Sequence, residues 1–184
     1  MAVNSAIKIV MSKHYISIGD KIYNQKDGGS IGMDLTGELA SIVMILWDEM
    51  FLTKLKTLRI ETDKYSRYVD DTLSILKAIK PGMYYCTTTN KMEFDPNNKY
   101  VELPPDEKTM NILSDIANTL TPEIQMEPDH PSKHSNGRMP CLDVEVWMED
   151  NIVRHQFYKK SMASPFTILY KSAISANIKR NSIL

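Results

Sequence analysis

Two adjacent aspartates, Asp70 and Asp71, lie between the runs Lys64–Val69 and Thr72–Leu76. That pattern predicts a β-hairpin with both carboxylates at its turn. Carboxylates this close repel each other, and a hard divalent cation such as Mg2+ offsets the repulsion through oxygen ligands. Two such ions about 4 Å apart activate an attacking hydroxyl and stabilise a leaving phosphate in an in-line displacement. The competing reading of an Asp-Asp pair is ordinary turn chemistry, in which the side chain accepts bonds from nearby backbone amides.

The elements that would position these residues follow from periodicity. Residues 3–13 read as a short helix. Tyr15–Ile18 and Lys21–Gln25 flank a Gly19-Asp20 turn and read as a hairpin. The loop 26–33 carries Gly28, Gly29, Ser30 and Gly32. A long helix is expected from Asp34 to Leu58, capped by Asp34 or Thr36, with Leu35, Leu39, Ile42, Val43, Leu46 and Met50 as its buried stripe. Residues 77–105 read as irregular. Asp106–Thr121 reads as a second helix behind Pro105, with Met110, Leu113, Ile116, Ala117 and Leu120 on one side. Met139–Met148 alternates like one strand, Leu142, Val144 and Val146 against Cys141, Asp143, Glu145 and Trp147, and Ile152–Tyr158 returns as its hairpin partner. The expected fold class is α+β, an antiparallel sheet of hairpins with two main helices packed on it.

The 184 residues suit one domain with its own core, and the net charge of −1 gives no overall basic field for a nucleic-acid partner. Cys86 and Cys141 form no CxxC or metal-ligand pattern. No apolar run reaches membrane-spanning length, and the first residues lack a secretory pattern, so an intracellular protein is expected. Both ends run straight into patterned sequence, which reads as a fragment.

The string Tyr68-Val69-Asp70-Asp71, preceded by Arg67, resembles the signature of reverse transcriptases. Gln25 to Ala40 looks like the family's next-upstream motif, a glycine loop opening a long helix, in the same order and spacing. Met139-Pro-Cys-Leu-Asp-Val144 and His155-Gln-Phe-Tyr-Lys-Lys160 are similar to the Leu-Asp-Val strand and Tyr-Arg/Lys-Lys-Pro stretch of Penelope-like and related invertebrate retroelements. Ser172-Ala173 and Lys179-Arg180 also sit where that subgroup carries Ser-Ala and Lys-Arg. Together the blocks span residues 15–184.

The resemblance implies a partial polymerase palm over residues 1–184 and RNA-directed DNA polymerisation by nucleotidyl transfer. Asp70 and Asp71 would be its catalytic residues and its ligands for Mg2+ or Mn2+. Gln25, Gly29, Ser30 and Gly32 would bind substrate, the glycines and serine letting the backbone approach the nucleotide and template base. The partners implied are an RNA/DNA template-primer and a deoxynucleoside triphosphate, with no membrane.

Gly37 stands where the family usually has proline, and Met33 where it has a small serine. The family's first catalytic aspartate belongs on a strand well upstream of the glycine loop, yet Asp20 alone precedes Gln25 here, in a turn. The fingers would lie upstream and the thumb beyond Leu184, so the isolated chain is expected to be inactive. The alternative is a degenerate or co-opted palm that binds nucleic acid without catalysis; a third reading makes the Asp pair a coincidence in a metal-binding or interaction domain. His130, His134 and His155 with Asp129 fit no standard zinc spacing. Asp143 reads as a structural carboxylate on a strand. Lys133, Lys159 and Lys160 are either phosphate contacts or solvated charges.

Overall fold

In the computed structural model, which describes residues 7–9, 12, 14–26, 28–30, 34–150 and 152–158, Asp34–Thr57 forms helix α1. Asp34 in its first turn and Lys54 and Lys56 in its last complement the helix dipole. Arg59 ends it at a left-handed φ of 58°, where the Ile60 N–H bonds the Leu55 carbonyl at 3.0 Å. The predicted boundaries hold to one residue, but the predicted face does not. The buried row is Trp47, Phe51 and Leu55, with Met44 and Leu58 beside it, while Ile42, Val43, Leu46 and Met50 are exposed. Residues 42–47 are apolar without a break, so periodicity fixes no single face. The aromatic rings settle it, because they remove the most apolar area from water. Trp47 and Phe51 stack with centroids 5.1 Å apart.

The chain divides into two compact units, residues 1–130 and 131–184. In the first, α1 shares a core with helix α2, Pro105–Ala117, which contributes Ile112, Leu113, Ile116 and Ala117. Pro104 and Pro105 open α2, where a missing N–H costs nothing. Three hairpins complete this unit: β1 (His14–Ile18) with β2 (Lys21–Gln25), β3 (Thr62–Tyr68) with β4 (Asp71–Leu76), and β5 (Met83–Cys86) with β6 (Lys91–Phe94). The β5–β6 pair lies in the stretch that reads as irregular. Its Tyr85 is a core residue, and Tyr84 and Met92 pack against the core. Gly82, at φ 79°, leads into it; a Cβ there would meet the Phe94 ring at 2.5 Å, so only glycine fits.

The second unit is a three-stranded antiparallel sheet of β7 (Met139–Cys141), β8 (Val144–Glu149) and β9 (Ile152–Phe157). The single strand expected over Met139–Met148 is broken: Cys141 pairs with Val144, and Leu142-Asp143 makes a tight turn with Leu142 at φ 55°. Glu145 is buried on this sheet and accepts from Arg138 at 3.0 Å and from Gln156, so its charge is compensated. Arg138 also stacks on Trp147, 4.1 Å from the ring centroid.

The protein is therefore α+β with small antiparallel sheets. The expected single sheet of hairpins is not formed among the described residues. The strands fall into four separate sheets, three of two strands and one of three, and in the first unit Tyr65 and Leu76 of β3–β4 and Tyr84, Tyr85 and Met92 of β5–β6 pack on the core that the helices build. The predicted helix over residues 3–13 falls mostly outside the described residues; 7–9 and 12 are helical. Among the described residues no helix is long and apolar enough to cross a membrane.

Candidate active site

The β3–β4 hairpin presents the aspartate pair. Tyr68 pairs with Asp71, so the two-residue turn is Val69-Asp70, and Asp71 is the first residue of β4 rather than part of the turn. Val69 takes φ 56°. For a β-branched residue this is a strained conformation, costing about 1–3 kcal/mol, which the surroundings must impose.

The two-residue hairpin itself imposes it, since Gly19 and Leu142, which open the equivalent turns, sit at φ 60° and 55°; Arg67 then braces the turn. Its Nε donates to Asp48 Oδ2 on α1 at 2.8 Å, and one terminal nitrogen donates to the Val69 carbonyl at 2.7 Å. Tyr65 donates its hydroxyl proton to the other Asp48 oxygen at 2.6 Å. Arg67 and Asp48 are 13% and 18% exposed, so water screens the pair little. Tyr65 and Arg67, two residues apart, face α1 together, and Asp48 ties their strand to the helix. Tyr65 also touches Phe51, with centroids 6.0 Å apart, so the tip is built outward from the core.

Asp70 and Asp71 are both exposed. Among the described residues neither carboxylate makes a hydrogen bond or ion pair. Asp95, in contrast, accepts from the Asn97 amide at 2.9 Å, as a turn aspartate does, and Asp115 accepts from Lys99 at 3.1 Å and from Tyr100. The Asp70-Asp71 pair is spent on neither use.

Gln25, Gly29 and Ser30 form a second cluster. At the end of β2 the Gln25 amide donates to the Gly29 carbonyl, and Ser30 donates back to the Gln25 oxygen, both at 3.5 Å. Gln25 thus spans its own loop and steadies it at the edge of hydrogen-bonding distance. Gly32 and Met33 lie outside the described residues.

The remaining candidates are placed elsewhere. Among the described residues no group of three or more His, Cys, Asp or Glu side chains is arranged to hold a metal. His130 is buried beside Asp106, 3.7 Å away, and His155 is exposed on β9. Asp143 is neither buried nor in a strand: it is exposed in the Leu142-Asp143 turn, and its carbonyl accepts from the Tyr158 amide at 2.8 Å. Lys133 and Arg138 border an open polar cleft of about 450 Å³ in the second unit. Lys159, Lys160, Ser172, Ala173, Lys179 and Arg180 lie outside the described residues.

The residue that sequence reasoning missed is Asp48. Its signal is the pair Asp48-Glu49 inside the apolar-rich stretch Met44–Phe51, of which the one that faces the packed side of α1 needs a partner.

Burial, then the bond to Asp48, pushes the Tyr65 phenol well above its ordinary value near 10; burial, then Asp115, raises Tyr100. In the unfolded chain both ionise near pH 10, while in the fold both keep their protons. Their contribution to stability is therefore complete below about pH 10 and is lost as pH rises beyond it. Alkaline unfolding followed by circular dichroism should show stability falling above that pH, less steeply in Tyr65→Phe. An unchanged slope in the variant would mean that the Tyr65–Asp48 bond does not persist in solution.

No protein-family model matches this chain, and neither does any curated protein or solved structure.

Proposed function

We propose that this chain carries the catalytic hairpin of a reverse-transcriptase palm, whose reaction is templated addition of deoxynucleotides to a primer 3′-hydroxyl. The observation that carries the reading is the pair of exposed, unengaged carboxylates on a strained tip anchored to α1. The motif order supports it: glycine loop, long helix, then Tyr-Val-Asp-Asp.

Asp70 and Asp71 would contact the cation. Mg2+ keeps several waters and takes one or two carboxylates together with substrate phosphates, so two exposed aspartates suit it where they would not make a complete cage. When bound, the ion supplies positive charge to the reacting phosphate. The chain's own residues fix where that charge sits: Arg67 and Asp48 hold the tip, and Gln25 holds Gly29 and Ser30 in a loop whose backbone a nucleotide can approach.

The isolated chain is expected not to extend a primer, because Asp20, the one aspartate ahead of Gln25, occupies the Gly19-Asp20 turn and offers no third carboxylate. The test combines Mn2+ binding, followed by electron paramagnetic resonance, with primer extension and with template-primer binding at several salt concentrations. Mn2+ binding that a deoxynucleoside triphosphate strengthens, without extension, is the expected result. Extension abolished by Asp70→Asn would uphold the polymerase reading and overturn the expected inactivity. Salt-dependent binding of template-primer with no response to Mn2+ or nucleotide would instead favour a palm that only binds nucleic acid.

A further inference from the structure

The two-residue hairpin puts Val69 at positive φ, and the hairpins of this chain differ in what braces such a turn. The chain contains a comparison turn, since Leu142-Asp143 has the same layout: a bulky apolar residue at positive φ followed by aspartate. There the nearest arginine in sequence, Arg138, is engaged with Glu145 and Trp147 instead, so the positive φ arises without an arginine, and what Val69-Asp70 has in addition is a brace. At Val69-Asp70, Arg67 reaches across the turn to the Val69 carbonyl while Asp48 holds its other end. The planar guanidinium has donors in a fixed fork, so anchoring Nε on α1 sets where the donor to Val69 lies.

We infer that Arg67 and Asp48 are positioning residues that brace the Val69-Asp70 turn against helix α1, and so hold the spacing of the two carboxylates that would receive a cation. Neither side chain needs to touch the cation. The carboxylates sit on consecutive residues, and their separation and relative direction depend on the backbone joining them. A turn left free to move at Val69 re-aims Asp70 while Asp71 stays in its β4 register opposite Tyr68. A cation bound by both loses one of its two protein ligands. The link to α1 is direct, since Asp48 lies one residue from Trp47 and three from Phe51, both in the core.

The inference about the cation rests on the proposed role of Asp70 and Asp71, whereas that about the backbone does not, and the experiment separates them. Amide hydrogen exchange and NMR shifts of Val69, Asp70 and Asp71 report the turn without metal; Mn2+ titration reports the site. Arg67→Ala should speed exchange at the tip and weaken Mn2+ binding about tenfold, the lower end of what loss of a group supporting a metal ligand costs. Arg67→Lys and Asp48→Asn keep polarity at the pair and guard against simple misfolding. Lysine cannot serve both acceptors with one rigid fork, and asparagine keeps an acceptor without the charge, so each should show a smaller change of the same kind. Retention of the Ile112 and Ile116 core signals would confirm that the fold survives. Unchanged tip exchange in all three variants would overturn the inference. If exchange responds while the unmodified chain binds no Mn2+, the backbone role stands and the cation reading of Asp70 and Asp71 fails.

Discussion

Phe51→Ala is expected to lower the unfolding free energy by about 3–5 kcal/mol, the range for deleting a fully buried ring and leaving a cavity. Phe51 is 2% exposed and lies between the stacked Trp47 ring and the Tyr65 ring. Its loss removes buried area and also loosens the strand that carries Arg67. Leu46→Ala, five residues earlier on the same helix, should cost less than about 0.5 kcal/mol, as surface substitutions do, because Leu46 is 56% exposed. Urea unfolding of the two variants compares the faces of α1 directly. Equal losses would place the buried face of α1 where the three- and four-residue spacing of Leu35 to Met50 puts it, and the core of Trp47, Phe51 and Leu55 would be wrong.

That contrast shows what could be read from the sequence. The extent of α1 was legible because a long apolar-rich run bounded by Asp34 and Arg59 has few other outcomes. Its orientation was not, because with residues 42–47 all apolar the buried face depends on which side chains fill the space beside α2, a fact of tertiary packing. The Gly19-Asp20 hairpin was legible through its turn residues. The β5–β6 hairpin was not: Pro81-Gly82 and the 95–98 stretch look like loop, and the left-handed Asn90 that closes the turn has no strong local signature. Leu142 and Val69 are harder cases of the same kind. Turn rules reject bulky residues at positive φ, so both residues read as strand.

At the β3–β4 tip the register is fixed by what Tyr65 and Arg67 must reach, and a slip of one residue would turn both away from Asp48. The sequence therefore located the β3–β4 hairpin and misplaced Asp71 by one position. It gave no view of Asp48, because that residue's importance lies in a partner 19 residues away.

Asp70→Asn and Asp71→Asn should each weaken Mn2+ binding by at least about tenfold while leaving the melting temperature unchanged or slightly raised. The two parts of this expectation have the same origin. Like charges repel, by about 1 kcal/mol at roughly 4 Å in water, and neither carboxylate recovers such a cost through a partner among the described residues. Neutralising one relieves the repulsion, and asparagine is as well suited to a turn as aspartate. A residue kept for stability behaves in the opposite way: Asp48→Ala leaves Arg67 nearly buried without its counter-ion and should destabilise by about 3–5 kcal/mol.

The pair also has a direction. Asp71 lies opposite Tyr68, on the hairpin face turned away from Tyr65, Arg67 and α1. A cation can therefore reach Asp71 without displacing the anchor. Thermal unfolding and Mn2+ titration of the same samples decide the matter. A loss of stability on Asp71→Asn with no change in Mn2+ binding would return the pair to ordinary turn chemistry. Stability held or gained at the expense of cation affinity is the signature of two charges kept together for a ligand.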